Sequence, residues 1–208
     1  MIKLVCFDFS KTVSKDSGFG AGPIFMKRKK EYDEIYKKFN FHELNEEQFI
    51  TSVIKLWKGI GQHDLFKIYN KIRLNKNIKS TLRQLKKKGI RTALVSFLPS
   101  ALAEFYRGLG FDYISATKCD FKDDKLTGKV KQLNADKHDS IMKICKNAKL
   151  KPKECMAVGD GLQDIKMFKA VGYNNSVAFN AQNEVKKYAK YHITDFKELN
   201  PIVESIRW

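Results

Sequence analysis

Asp8, Ser10 and Thr12 follow a short apolar run, Ile2–Phe7, and are the first cluster of oxygen-bearing side chains in the chain. Further along, Ser96 closes a second apolar run that begins at Ile90, and Lys137 opens a helical segment. Gly159-Asp160-Gly161 ends a third such run, with Asp164 one turn later. Three carboxylates, one lysine and three hydroxyls are thus available to one site. Clustered carboxylate and hydroxyl oxygens are hard ligands that suit Mg²⁺, a cation that commonly accompanies phosphate. Lys137 and the backbone amides after Asp8 would hold the remaining phosphate oxygens. Singly, each residue has a plainer reading: Asp8 as a cap or turn residue, Gly159–Gly161 as a turn, Lys137 as a solvated lysine, Ser96 as a helix N-cap. Their shared place at the carboxyl ends of strands favours the joint reading.

That placement depends on the elements between them. Residues 2–8 have the length and the Val and Phe content of a buried strand. Residues 15–76 change to charged, amphipathic stretches. There Phe49, Val53, Leu56 and Trp57 fall on one helical face, Gly59 and Gly61 punctuate the pattern, and His63–Asn70 resumes it. This segment reads as a small helical insertion. Afterwards the chain alternates between helical Lys79–Lys88, a strand at Ile90–Ser96, helical Ser100–Leu109 and strand-like Asp112–Ala116. A hairpin follows at Phe121–Val130, centred on Asp123-Asp124. Then come a helix at Ala135–Ala148, a strand at Glu154–Val158, a helix at Leu162–Ala170, a strand at Ser176–Phe179 and a helix at Gln182–Ala189. A short strand at Tyr191–Thr194 precedes a helix running to the C-terminus. Alternating strands and helices predict an α/β, doubly wound, Rossmann-like parallel sheet. Such sheets bind ligands beyond the carboxyl ends of their strands.

The order of these residues resembles the haloacid dehalogenase-like superfamily of aspartate-nucleophile phosphotransferases. VCFDFSKTV is similar to its first motif, LVS ending at Ser96 to its second, Lys137 in ADKHDSIM to its third, and AVGDGLQDIKMF to its fourth. Residues 110–130 and 176–193 look like the phosphoserine phosphatase group. By this resemblance residues 1–14 and 77–208 form the α/β core, with a helical cap at 15–76 inserted between the first two motifs. The resemblance implies that Asp8 is the nucleophile and forms an aspartyl-phosphate. Asp8, the Ser10 carbonyl and Asp160 would hold Mg²⁺, with Asp164 as a further ligand or as a support behind them, and Ser96 and Lys137 would bind phosphoryl oxygens. Phe97 and Gln163 would contact substrate beside them.

The chain departs from the family pattern at named positions. Ser10 stands where the family has the second aspartate of its first motif, which protonates the leaving group and then activates water. General acid–base assistance is worth roughly 10²–10⁴ in rate, so slow turnover is expected. The cap offers Asp16 and Ser17 where the phosphoserine enzymes have a glutamate, and its arginines, Arg28 and Arg73, stand elsewhere. Phe97-Leu98 replaces the Gly-Gly after the second motif, and Gln163 replaces an asparagine. The expected function is an Mg²⁺-dependent phosphatase or phosphotransferase acting on a small phosphorylated metabolite, with phosphoserine disfavoured; the alternative is a non-catalytic or weakly active relative that binds phosphate groups or a partner.

The composition bounds the alternatives. The 208 residues, 43% of them hydrophobic, can bury a core without staples. No uncharged apolar run nears the roughly 18 residues of a membrane span, and Asp8 interrupts the N-terminal run too early for a signal peptide. A cytoplasmic protein is expected. The net charge of +17 would attract polyanions. However, Lys27-Arg28-Lys29-Lys30 is the one tight basic cluster, and Glu31, Asp33 and Glu34 follow it. Solvated helix faces explain that pattern better than nucleic-acid binding does. Cys6, Cys119, Cys145 and Cys155 lack CxxC spacing and read as free thiols rather than zinc ligands.

Overall fold

The five residues Leu4–Asp8 form a strand, β1, with every side chain buried. A strand covered on both faces reads as a continuous apolar run, which is why alternation is absent here. Val5 and Phe7 point into one core and Leu4 and Cys6 into another, one on each face of the sheet. Burying a side chain the size of Phe7 or Leu4 contributes about 1.5–3 kcal/mol. The computed structural model describes residues 1–206; the C-terminal end of the expected last helix lies outside the described residues.

After β1 come four helices, α1 (Ala21–Phe25), α2 (Lys29–Asn40), α3 (Glu46–Leu56) and α4 (Gln62–Lys71), then α5 (Ile78–Lys87) and β2 (Arg91–Pro99). A four-residue helix, α6 (Ser100–Ala103), precedes β3 (Tyr113–Lys122) and β4 (Lys125–Gln132). The rest alternates: α7 (Lys137–Ala148), β5 (Cys155–Gly159), α8 (Ile165–Val171), β6 (Ser176–Phe179), α9 (Asn183–Lys186), β7 (Tyr191–Ile193) and α10 (Leu199–Ser205). The strands form one sheet in the order β4-β3-β2-β1-β5-β6-β7, parallel except for the β3–β4 hairpin. This is the doubly wound α/β architecture expected. The chain builds outward from β1 to β3 on one side, then crosses to β5 on the other. The crevice at the carboxyl ends of β1 and β5 is therefore a topological switch point.

Several boundaries differ from expectation. Ser100–Leu109 is one turn of α-helix followed by a tighter 3₁₀ stretch, Glu104–Leu109, which ends at Gly110 with φ +113°. The strand-like Asp112–Ala116 and the first arm of the hairpin are one strand, β3. Asp123 and Asp124 both take positive φ, +49° and +59°, as a two-residue hairpin turn requires. Leu162–Asp164 is 3₁₀ before α8 begins, and the helix expected over Gln182–Ala189 shortens to α9. The segment 15–76 is helical, and it also shares a core with the sheet. Gly59 N–H donates to the Leu126 carbonyl at 2.8 Å, and Leu126 N–H donates to that of Ile60 at 2.9 Å. These bonds tie the α3–α4 connection to β4. No described helix is long and apolar enough to cross a membrane.

Candidate active site

Asp8 is the last residue of β1. The chain then makes one wide turn, Phe9–Val13, closed by Ser14 N–H donating to the Phe9 carbonyl at 2.9 Å. Such single wide turns recur at functional sites. This one brings Ser10 to the crevice and holds Lys11 at φ +61°. The Asn75 amide locks the loop by donating to the carbonyls of Thr12 (2.7 Å) and Ser14 (3.1 Å).

Lys137 arrives from the opposite direction. The Asp136 carboxylate caps α7 by accepting from the amides of His138 (2.7 Å) and Asp139 (3.2 Å), so Lys137 is the first helical residue. Its ammonium donates to Asp8 Oδ1 at 2.5 Å and to Asp164 Oδ1 at 2.6 Å. All three residues are deeply buried, at 3%, 4% and 2% exposure for Lys137, Asp8 and Asp164. Asp164 Oδ2 accepts from the amides of Asp160 (2.9 Å) and Gly161 (3.0 Å). A Cβ at Gly159 would lie 2.4 Å from Asp164 Cγ, so only glycine permits this closure. Asp160 Oδ1 accepts from the Thr12 hydroxyl at 3.0 Å.

Burial pushes the Asp8 carboxyl well above its usual range, opposed by Lys137 and reinforced by Asp164 and Asp160. Asp160 is pushed up to about 6, mainly by burial and then by Asp164. Burial disfavours the Lys137 ammonium, yet Asp164 and Asp8 hold its pKa above the ordinary value. Oxygens of Asp8, Asp160 and Asp164 lie within 4.8 Å of one another. When all three carboxylates are ionised, Lys137 offsets one of their charges, and a divalent cation would balance the other two. With Oδ1 of each already engaged, the second oxygens of Asp8 and Asp160 have no hydrogen-bond partner among the described residues. The donor set fits Mg²⁺. Both oxygens of Asp164 are taken, which suits it to orienting Lys137 and the Asp160 turn rather than to direct ligation.

Ser96 is buried in the carboxyl-terminal half of β2. Its hydroxyl accepts from the Leu98 amide at 3.1 Å, and the strand continues to Pro99, so it does not cap α6. Phe97 stands over Lys137, with its ring centroid 5.1 Å from Nζ. Asp8, Ser10, Ser96, Phe97, Lys137, Asp160, Gln163 and Asp164 all line one cavity of about 600 Å³. The sequence reading missed Asn134. Its amide donates to the Ser96 carbonyl at 2.9 Å, and its own carbonyl accepts from Ser115 (3.1 Å) and Ser140 (2.8 Å). It joins β2, β3 and α7, which lie far apart in sequence, and no local motif marks it. The four cysteines carry no disulfide. Cys145 and Cys155 Sγ approach to 3.3 Å in the core beneath α7.

Comparison with known proteins gives a consistent result. Residues 2–172 match the family model described as haloacid dehalogenase-like hydrolase. The chain is 30% identical over 210 residues to the phosphoserine phosphatase of Methanocaldococcus jannaschii, covering 99% of this chain and 98% of that one. Among solved structures, a phospho-aspartyl intermediate analogue of phosphoserine phosphatase superposes with a TM-score of 0.83 at 29% identity, covering 97% and 99% of the two chains. A substrate-bound phosphoserine phosphatase complex matches with a TM-score of 0.83 at 28% identity, covering 98% and 99%.

Proposed function

The chain belongs to the haloacid dehalogenase-like hydrolases and resembles their phosphoserine phosphatase group, and on that premise we propose an Mg²⁺-dependent phosphatase that works through a phosphorylated Asp8. It is a phosphoric monoester hydrolase; the metal, the intermediate and the substrate are our reading. The observation that carries it is the buried Asp8–Lys137–Asp164 chain of hydrogen bonds at the switch point. The similarity to a phospho-aspartyl analogue supports it.

In the first step an Asp8 oxygen bonds to phosphorus as the bond from phosphorus to the ester oxygen breaks. The leaving oxygen departs with that electron pair and takes a proton from water. In the second step water attacks phosphorus, loses a proton to solvent, and releases inorganic phosphate and the Asp8 carboxylate. Lys137 offsets charge between Asp8 and the phosphoryl oxygens, and the Ser96 hydroxyl donates to one of them. Phosphoryl transfer relies on such positioning and neutralisation more than on bonding by the protein. Mg²⁺, held by Asp8, Asp160 and the Ser10 carbonyl, would neutralise phosphoryl charge. Segment 15–76 serves as the cap that chooses the substrate.

Phosphoserine fits this cavity poorly. Arg73 pairs with Asp16 at 2.8 Å and Arg28 with Glu31 at 2.6 Å, all exposed and outside the cavity lining. The test is phosphate release from acetyl phosphate and p-nitrophenyl phosphate with Mg²⁺. Release that is lost in chelator and in Asp8→Asn supports the proposal. Asp8→Asn activity within about threefold of wild type, against the near-complete loss expected when the covalent nucleophile is removed, would overturn it.

A further inference from the structure

Above the Asp8–Lys137 floor the cavity is walled by aromatic rings. Half-buried Tyr36 on α2 stacks beside Tyr32, with centroids 5.8 Å apart and planes 17° apart, and lies 6.1 Å from Phe49. Phe97 adds a ring from the core side. The polar tips of both tyrosines are already engaged. The Tyr32 hydroxyl bonds to that of Ser17 at 2.7 Å, and the Tyr36 hydroxyl accepts from Lys11 Nζ at 3.2 Å. The cap therefore offers a ligand ring surface. Outside the catalytic floor, Lys11 is the one charged side chain in the described lining. An ammonium group on the substrate would lose its water and find no carboxylate there.

Ser10 gives an independent reason. It brings a hydroxyl where a carboxylic acid would assist departure, so the leaving group must depart unaided. A phenol with a pKa near 10, the value for tyrosine, leaves more readily than an aliphatic alcohol.

We propose that the substrate is an aryl phosphate, a phosphate ester of a phenolic ring, and that its ring packs between Tyr36 and Phe97. Offset or edge contacts with these rings select it. As Asp8 bonds to phosphorus, the bond between phosphorus and the aryl oxygen breaks, and the aryl oxide leaves with the electron pair and takes a proton from water. The turnover part of this inference rests on the phosphatase reading; the ring site does not.

The experiment compares phenyl phosphate, benzyl phosphate, phosphoserine and acetyl phosphate as substrates, and benzylphosphonate with ethylphosphonate as calorimetric ligands, all with Mg²⁺. Benzyl phosphate and phosphoserine share an aliphatic leaving oxygen, so that pair removes the leaving-group effect, and Tyr36→Ala with the phosphonate pair separates the ring from the charges of phosphoserine. Benzyl phosphate should exceed phosphoserine in kcat/KM by about tenfold, mainly through KM. Phenyl phosphate should exceed both. Tyr36→Ala should erase the advantage of benzyl phosphate, and Tyr36→Phe should keep it. Turnover of acetyl phosphate with no preference for benzyl phosphate over phosphoserine would overturn the ring site and leave the phosphatase reading standing. If nothing is turned over, the phosphatase reading falls. Benzylphosphonate binding about tenfold tighter than ethylphosphonate would then still support the ring site, and equal affinities would overturn it.

Discussion

Lys137 shows how far a single residue governs this site. It is buried between Asp8 and Asp164, and without it two carboxylates lose their shared counter-charge. Lys137→Met should cost about 3–5 kcal/mol, because breaking a buried pair strands the partner charge. Urea unfolding of Lys137→Met with and without Asp164→Asn checks this: the double variant should recover part of the loss. Ser10 is the complementary case, where an acid is missing rather than paired. Ser10→Asp should raise turnover of alkyl phosphates by up to about 10²-fold and that of acetyl phosphate much less. Steady-state rates on the two substrate types measure it, and equal rates in wild type with no gain in the variant would contradict it. Asp8, Lys137, Asp160 and Asp164 were legible in the sequence because each sits where an apolar run ends or a helix begins. Asn134 and Asn75 were not, since each acts on backbone carbonyls more than thirty-five residues away.

At the scale of elements, the sequence marked the core strands and the insertion but not how the insertion is built. β1 is read easily because a central parallel strand is apolar throughout. The aromatic wall was hidden because Tyr36, Phe49 and Phe97 come from α2, α3 and β2 and meet only in the folded chain. The attachment of segment 15–76 to β4 was hidden for the same reason, since it is made by backbone bonds at Gly59, Ile60 and Leu126. The break in Ser100–Leu109 left no signal, for its composition suits an α-helix as well as a 3₁₀ stretch. Within the insertion, α1 sits flat against Trp57, and a Cβ at Gly22 would come within 2.3 Å of the indole. Trp57 is fully buried and donates its ring N–H to the Phe19 carbonyl at 3.2 Å. Gly22→Ala should therefore destabilise the chain by about 1–3 kcal/mol, the ordinary cost of overpacking. A thermal melt detects that, and an unchanged Tm would show that α1 can move aside.

For the whole molecule, the acidic site couples stability to pH and metal. Asp160, at about 6 in the fold against an ordinary 3.8, binds its proton more tightly folded than unfolded. Its protonation stabilises the metal-free fold fully below about 4, and that contribution is lost as the pH rises through 6. The difference corresponds to at most about 3 kcal/mol. Asp8 is shifted in the same direction. Mg²⁺ should therefore raise Tm more at pH 7 than at pH 5, and Asp160→Asn should remove most of that difference. The same shift at both pH values would contradict the assigned ligands. The net charge of +17 adds a field that draws anionic substrates toward the molecule. All of this serves one central claim, that Asp8 carries the phosphoryl group between the two steps. Acid quenching during turnover of acetyl phosphate with Mg²⁺, followed by intact mass and peptide mapping, tests it most directly. We predict one phosphoryl group per chain, mapped to Asp8 and less abundant in Ser10→Asp; no adduct in wild type during turnover, or the same adduct in Asp8→Asn, would contradict it.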